Sequence, residues 1–195
     1  MAVAHEAGMD VINLFSGPAP WDPRAPKLGA QISEGEAWDR VFAAFDRFVP
    51  LAEAHRVHLS VEAVFGMSVR EFYTVSHLLS HYDSPWLGVN LDPSHYVLYG
   101  NDALWAVRQL KGRIKHVHLK DVVGVPGMPG QEFLFPLLGE GRIPWKAFVS
   151  ELERAEYSGF LSVEFESFSY YRDVLQSDPR RAAALSMEQL RHLLG

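Results

Sequence analysis

Apolar positions along this chain fall into two alternating kinds. Short continuous runs rich in Val, Ile and Leu (VINLF, VHLSVEAV, WLGVNLD, IKHVHLKD and FLSVEFE) are separated by stretches whose apolar residues recur every three or four positions. The first kind reads as strands covered on both faces, the second as helices with one buried stripe. MAVAHEAG opens the chain as the tail of a helix, with Gly8 where a C-cap glycine belongs. MDVINLFSG is a strand running into a turn at Ser16, Gly17 and Pro18, and the proline-rich stretch to Gly29 is a loop. Ser33 with Glu36 forms a capping box ahead of Val41, Phe42, Phe45, Phe48 and Val49, and Ser68 with Glu71 forms another ahead of Phe72, Val75 and Leu79. A further helix runs from about Asp102 to Leu110, and VVGVPGMPG is a Gly/Pro loop. Pro144 takes a first-turn position before Trp145, Phe148, Val149 and Leu152, and Asp178-Pro179 starts a last helix that ends at Leu194.

Five strands alternating with helices, with no linker between them, predict a single α/β domain over residues 1–195 built on a parallel sheet. An open doubly wound sheet would carry a Gly-rich phosphate loop after its first strand, and SGPAPWDPR is not one. The strand ends point elsewhere. Four of the runs finish in residues that bind metal well: Glu62 in SVEAV, Asp92 and His95 in VNLDPSH, His118 in HVHLKD, and Glu164 and Glu166 in LSVEFE. In a parallel barrel the C-terminal strand ends converge on one face, where catalytic residues gather. Carboxylates with a single imidazole suit Mg²⁺ or Mn²⁺ and widen the choice toward Co²⁺ or Zn²⁺.

Composition narrows the function without deciding it. The 195 residues are 48% hydrophobic, enough for a well-buried core. A net charge of -6 argues against a broad nucleic-acid-binding face. With no cysteine, disulfide and thiolate chemistry are excluded, which suits a reducing cytoplasm. No apolar run approaches the roughly 18 residues of a membrane span, and MAVAHEAGMD lacks the basic start and apolar stretch of a signal peptide. The expectation is a cytoplasmic protein that binds no nucleic acid and no membrane.

At NLDPSH, HVHLKD, LLGEGRIPW and YSGFLSVEFE, four segments in order over nearly the whole chain, the sequence resembles the xylose isomerase-like TIM-barrel family of sugar-phosphate isomerases and epimerases. The resemblance implies a (β/α)₈ barrel whose fourth to eighth units are present here, so that the fold is an N-terminally incomplete TIM barrel of about five parallel strands. A late-assigned start codon or fragmentary gene, a cut chain, and a short protein that completes itself as a homo-oligomer would each account for this.

The resemblance further implies that Glu62, Asp92, His118 and Glu164 ligate a divalent metal ion (Mn, Mg, Co or Zn). His116 shares the strand face of His118 and is the other candidate imidazole. His95, Glu166 and Lys120 are candidates for contact with substrate oxygens, although Lys120 could instead pair with Glu166 and a surface lysine is its ordinary reading. The Arg that some epimerases carry six positions after the metal histidine is absent, since position 124 is Gly. Glu140 reads as structural. Trp21, Phe65, Trp145, Phe168 and the segment Tyr170, Tyr171, Arg172 are candidate pocket or core residues.

The implied reaction is isomerisation or epimerisation of a sugar, sugar phosphate or polyol through an enediolate, with Glu62 and Glu164 as acid and base. A dehydratase of a cyclic polyol ketone on the same scaffold is the alternative, and a non-catalytic barrel fragment is another. The family's endonuclease branch needs an Asp-x-His before the LGEG turn, where this chain has Phe133 and Phe135.

Overall fold

The computed structural model describes all of residues 1–195. In chain order the elements are α1 (Ala2–Glu6), β1 (Val11–Phe15), α2 (Glu34–His55), β2 (His58–Glu62), α3 (Phe72–His81), β3 (Leu87–Leu91), α4 (Pro93–Leu98), α5 (Ala103–Gln109), β4 (Ile114–Leu119), β5 (Val123–Gly124), β6 (Phe133–Leu134), α6 (Trp145–Arg154), β7 (Leu161–Val163), α7 (Phe168–Asp173) and α8 (Pro179–Leu194). Five strands form one sheet in the order β1-β2-β3-β4-β7, and β5 and β6 form a separate antiparallel pair. The chain groups into two compact units, Met1–Leu91 with Gly112–His116, and Asp92–Lys111 with Val117–Gly195.

In the first unit β1 pairs in parallel with β2 from Val11 opposite His58 to Phe15 opposite Glu62, and β2 with β3 from Leu59 opposite Leu87 to Glu62 opposite Asn90. All five residues of β3 are buried, as a strand covered on both faces requires. Ala37, Val41, Phe45, Val49 and Ala52 form the buried stripe of α2. That helix continues through Pro50, where a break would be expected; the buried stripe extends past the proline to Ala52 and holds the last turn in place. The capping box of α3 is displaced from its expected place. Glu71, not Ser68, is the N-cap: its carboxylate accepts from the Tyr73 and Thr74 amides, and Thr74 Oγ1 accepts from the Glu71 amide. The Ser68 amide instead donates to the Gly17 carbonyl.

The second unit begins with a helix that the apolar pattern does not reveal. Asp92 caps α4 by accepting from the Ser94 amide at 2.9 Å, and Pro93 fills the first position, a start signal in DPSHYVL too short to show periodicity. Asp102 caps α5 through the Trp105 amide. β4 pairs in parallel with β7 from Val117 opposite Leu161 to Leu119 opposite Val163. The expected Gly/Pro loop closes as the β5–β6 hairpin, in which Gly124 at φ +99° leaves no room for a Cβ beside the Glu132 carbonyl. Pro144 is the N-cap of α6, one place outside the first turn. β7 is only three residues long, so Glu164 and Glu166 lie beyond it, although the Glu164 amide still donates to the Leu119 carbonyl at 3.1 Å. The chain then turns into α7, also unpredicted, and Asp178 caps α8.

Gly88 in β3 has no room for a side chain, because a Cβ would meet the Arg113 carbonyl and the Lys115 side chain. Gly88→Ala is expected to cost about 1–3 kcal/mol in urea unfolding. Gly35→Ala, in α2 with open space around it, should be neutral or stabilising by roughly 0.5–1 kcal/mol.

Candidate metal centre

Asp92, His118 and Glu164 reach one place from three segments of the second unit: the turn after β3, the end of β4 and the turn after β7. One ligand atom from each lies within 4.8 Å of the others. His118 Nδ1 stands 3.5 Å from Glu164 Oε2, and His95 Nε2 stands 3.7 Å from Asp92 Oδ2. Asp92 is fully buried, and its two oxygens differ: Oδ1 accepts from the Ser94 amide, while Oδ2 has no aligned hydrogen-bond donor. An enclosed carboxylate oxygen that accepts no aligned hydrogen bond, beside a second carboxylate and an imidazole, fits a divalent cation of the Mn²⁺, Mg²⁺, Co²⁺ or Zn²⁺ kind.

Lys120 enters the same place, two residues on from His118. Its Nζ lies 2.6 Å from Glu164 Oε2, 3.0 Å from Glu166 Oε2, 3.0 Å from Asp92 Oδ2 and 3.3 Å from His95 Nε2. The Phe135 ring closes the remaining side, its centroid 4.5 Å from Nζ. The side chain is 3% exposed, so the surface reading of this lysine is corrected. A buried ammonium persists because its neighbours are anionic.

Proton affinities follow from this packing. Burial alone would lower the Lys120 ammonium, yet Asp92, Glu166 and Glu164 together hold it above its ordinary value. Burial pushes the Asp92 carboxyl up, against the pull of Lys120. Burial also raises Glu164, but the His118 and Lys120 donors outweigh it and hold that carboxyl well below the usual range. Glu166, without the histidine, stays raised by burial. His95 is held neutral by burial and by the Lys120 charge.

The first unit carries Glu62 at the end of β2. It is buried, and its Oε2 accepts from Asn90 Nδ2 at 3.2 Å. His116 precedes His118 on β4 and is not one of the residues whose ligand atoms cluster.

Asn90, Phe135 and Asp121 were not singled out from the sequence. Asn90 offered a signal, since an amide inside an otherwise apolar strand requires a partner. Asp121 Oδ1 accepts from the Val122 and Ile143 amides, and Oδ2 from the Gly139 amide and Trp145 Nε1. It thereby fixes the LGEG turn to the end of β4, with Gly141 packed too closely against it for any side chain. Glu140 is exposed and accepts only from the Leu137 amide, and Trp145 is buried. Trp21 and Phe168 are more than half exposed.

A model of the xylose isomerase-like TIM barrel matches residues 1–193. The chain belongs to that family. Among curated relatives, an inosose dehydratase of Bacillus thuringiensis (strain Al Hakam) is 26% identical over 171 residues, covering 82% of this chain and 56% of the relative. The chain thus spans about half the length of the curated relatives it matches. Of solved structures, the IOLI protein with a bound zinc atom superposes with a TM-score of 0.74 at 17% identity, over 98% of this chain and 65% of its own. A 3-keto-D-glucoside 4-epimerase from E. coli gives 0.72 at 15%, over 98% and 67%. At these identities the structures establish the fold, a TIM barrel represented here by five of its parallel strands with their helices. No helix is long and apolar enough to cross a membrane.

Asp121→Asn would turn an amide NH₂ toward two of the four donors. It is expected to destabilise the protein by about 2–4 kcal/mol in chemical denaturation, with Glu140→Ala, at the exposed end of the same turn, close to neutral as the control.

Proposed function

We propose that Glu62, Asp92, His118 and Glu164 hold one divalent cation, and that the protein abstracts a proton next to the carbonyl of a small polyhydroxy ketone. The observation that carries this reading is the convergence of Asp92, His118 and Glu164 around a buried carboxylate oxygen that accepts no aligned hydrogen bond and faces only side-chain charge. Glu62 joins them because it too is a buried carboxylate at a strand end, aimed by Asn90. A bound cation would supply Lewis-acid polarisation of the substrate carbonyl.

This chain's own groups do the rest. Glu164 is placed to take the α-proton at its carboxylate, and to do so it must gain proton affinity by losing the Lys120 contact that depresses it. Lys120 and Glu166 lie beside it and contact substrate hydroxyls, with neutral His95 as a further hydrogen-bonding group. The Phe135 ring keeps water from the lysine side of the site.

Two outcomes follow from that one abstraction. Loss of the neighbouring hydroxyl gives dehydration, a reading supported by the relatives named inosose dehydratase. Return of a proton by Glu62 gives isomerisation or epimerisation, a reading supported by the epimerase among the similar folds.

Calorimetry with Mn²⁺ tests the site. One cation should bind per chain, Asp92→Ala with His118→Ala should abolish binding, and Glu62→Gln should weaken it; full binding by the double variant would refute the ligand set. Incubation with an inosose in D₂O tests the chemistry. Deuterium at the α-carbon of recovered substrate or of an isomer is expected for proton return, and a product one water lighter for dehydration. Absence of both in a chain shown to hold the cation would refute proton abstraction from this substrate.

A further inference from the structure

A contact with substrate hydroxyls does not account for where Lys120 stands, on the oxygens of the proposed metal ligands. In the second unit, Asp92, Glu164 and Glu166 bring three carboxylates together around one ammonium. Lys120 is the one cation touching all three. It does so through the same oxygens that a metal would need: Glu164 Oε2, which faces His118, and Asp92 Oδ2, which has no aligned donor. Two cations sharing those two oxygens at such distances repel each other strongly in a buried site. Glu166 is different, since it touches Lys120 but does not belong to the ligand cluster.

We infer that Lys120 is a built-in counter-cation that occupies the ligand oxygens in the metal-free protein, and that it withdraws to Glu166 alone when a divalent cation binds. The inference rests on the cation reading above. It makes Lys120 a positioning residue: it keeps Asp92 and Glu164 gathered before metal arrives, and it sets metal affinity by competition. Phe135 confines the movement. With the ring packed over Nζ and the side chain almost wholly enclosed, the ammonium exchanges partners within the cluster without moving out to solvent. Burying a charge that then had no partner would be costly, and Glu166 removes that cost.

The test is Mn²⁺ titration calorimetry at neutral pH on the wild type, Lys120→Met, Glu166→Gln and the double variant, with thermal unfolding in parallel. Lys120→Met is expected to bind Mn²⁺ about tenfold or more tightly than wild type. Its metal-free form should unfold at a lower temperature, and its Mn²⁺-induced rise in Tm should be larger. Glu166→Gln should bind more weakly than wild type, because the lysine then has no other anionic partner. The double variant should match Lys120→Met, since Glu166 acts only through Lys120.

Equal or weaker binding by Lys120→Met would overturn the inference, as would an equal effect of Glu166→Gln with and without the lysine. Should Lys120→Met fail to fold without metal, Lys120→Gln and the single Glu166→Gln variant give the same reading. Wild-type binding that is lost on changing Asp92 and His118 but is indifferent to Lys120 would overturn this inference alone. No binding by either wild type or Lys120→Met would overturn the cation reading together with it.

Discussion

One buried ammonium ion governs the arrangement of the second unit. Moving a charged lysine out of water costs several kcal/mol unless closely placed opposite charges offset it. Lys120 is 3% exposed and meets that condition through partners drawn from distant parts of the chain. Asp92 comes from the turn after β3, His95 from α4, and Glu164 and Glu166 from the turn after β7. Phe135, just past the β5–β6 hairpin, seals the far side. None of these segments could move far without leaving a charge buried and unpaired, so the ion network fixes the ends of the strands as firmly as the strand pairing fixes their middles.

The neighbouring residue performs the matching task for the backbone. Asp121 accepts four hydrogen bonds, one from the adjacent Val122 amide and three from Gly139 in the LGEG turn, Ile143 beyond it and Trp145 at the start of α6. Successive residues of an extended chain point to opposite sides, so Lys120 gathers the chemical groups while Asp121 anchors the loop that follows. A carboxylate used entirely in this way is not available as a ligand, which separates Asp121 from Asp92 although both follow a strand. Asp92 keeps one oxygen that accepts no backbone hydrogen bond and instead faces the Lys120 ammonium at 3.0 Å.

The strands and longer helices were legible in the sequence because they rest on local periodicity. β1, β2, β3 and β4 lie within the runs read as strands, and α8 runs from its Asp178 cap to Leu194 as its pattern indicates. Short elements were less legible. α4 and α7 have six residues each, less than two helical turns, and the β5–β6 pair has two residues per strand, so neither periodicity has room to show. The capping box at α3 fell three residues later than read, because Glu71 and Thr74 satisfy each other's backbone groups while the Ser68 amide is taken by Gly17. Pro50 lies inside α2, where buried contacts beyond it hold a helical turn that local preference would end.

By itself the sequence determined the α/β class, the alternation of strand and helix, and the concentration of carboxylates and imidazoles at strand ends, because side-chain chemistry and apolar spacing are properties of neighbouring residues. Only the tertiary structure decided which of two same-face candidates meets which partner. His118 rather than His116 joins Asp92 and Glu164, and Glu164 rather than Glu166 faces that histidine. Lys120, read as a substrate contact or a partner of Glu166 with a surface lysine as the ordinary alternative, is enclosed among carboxylates more than twenty residues away in either direction along the chain. The physical reason is that a buried charge is settled by strand register and by what is packed over it. Those are set by contacts between distant segments, and no local pattern records them.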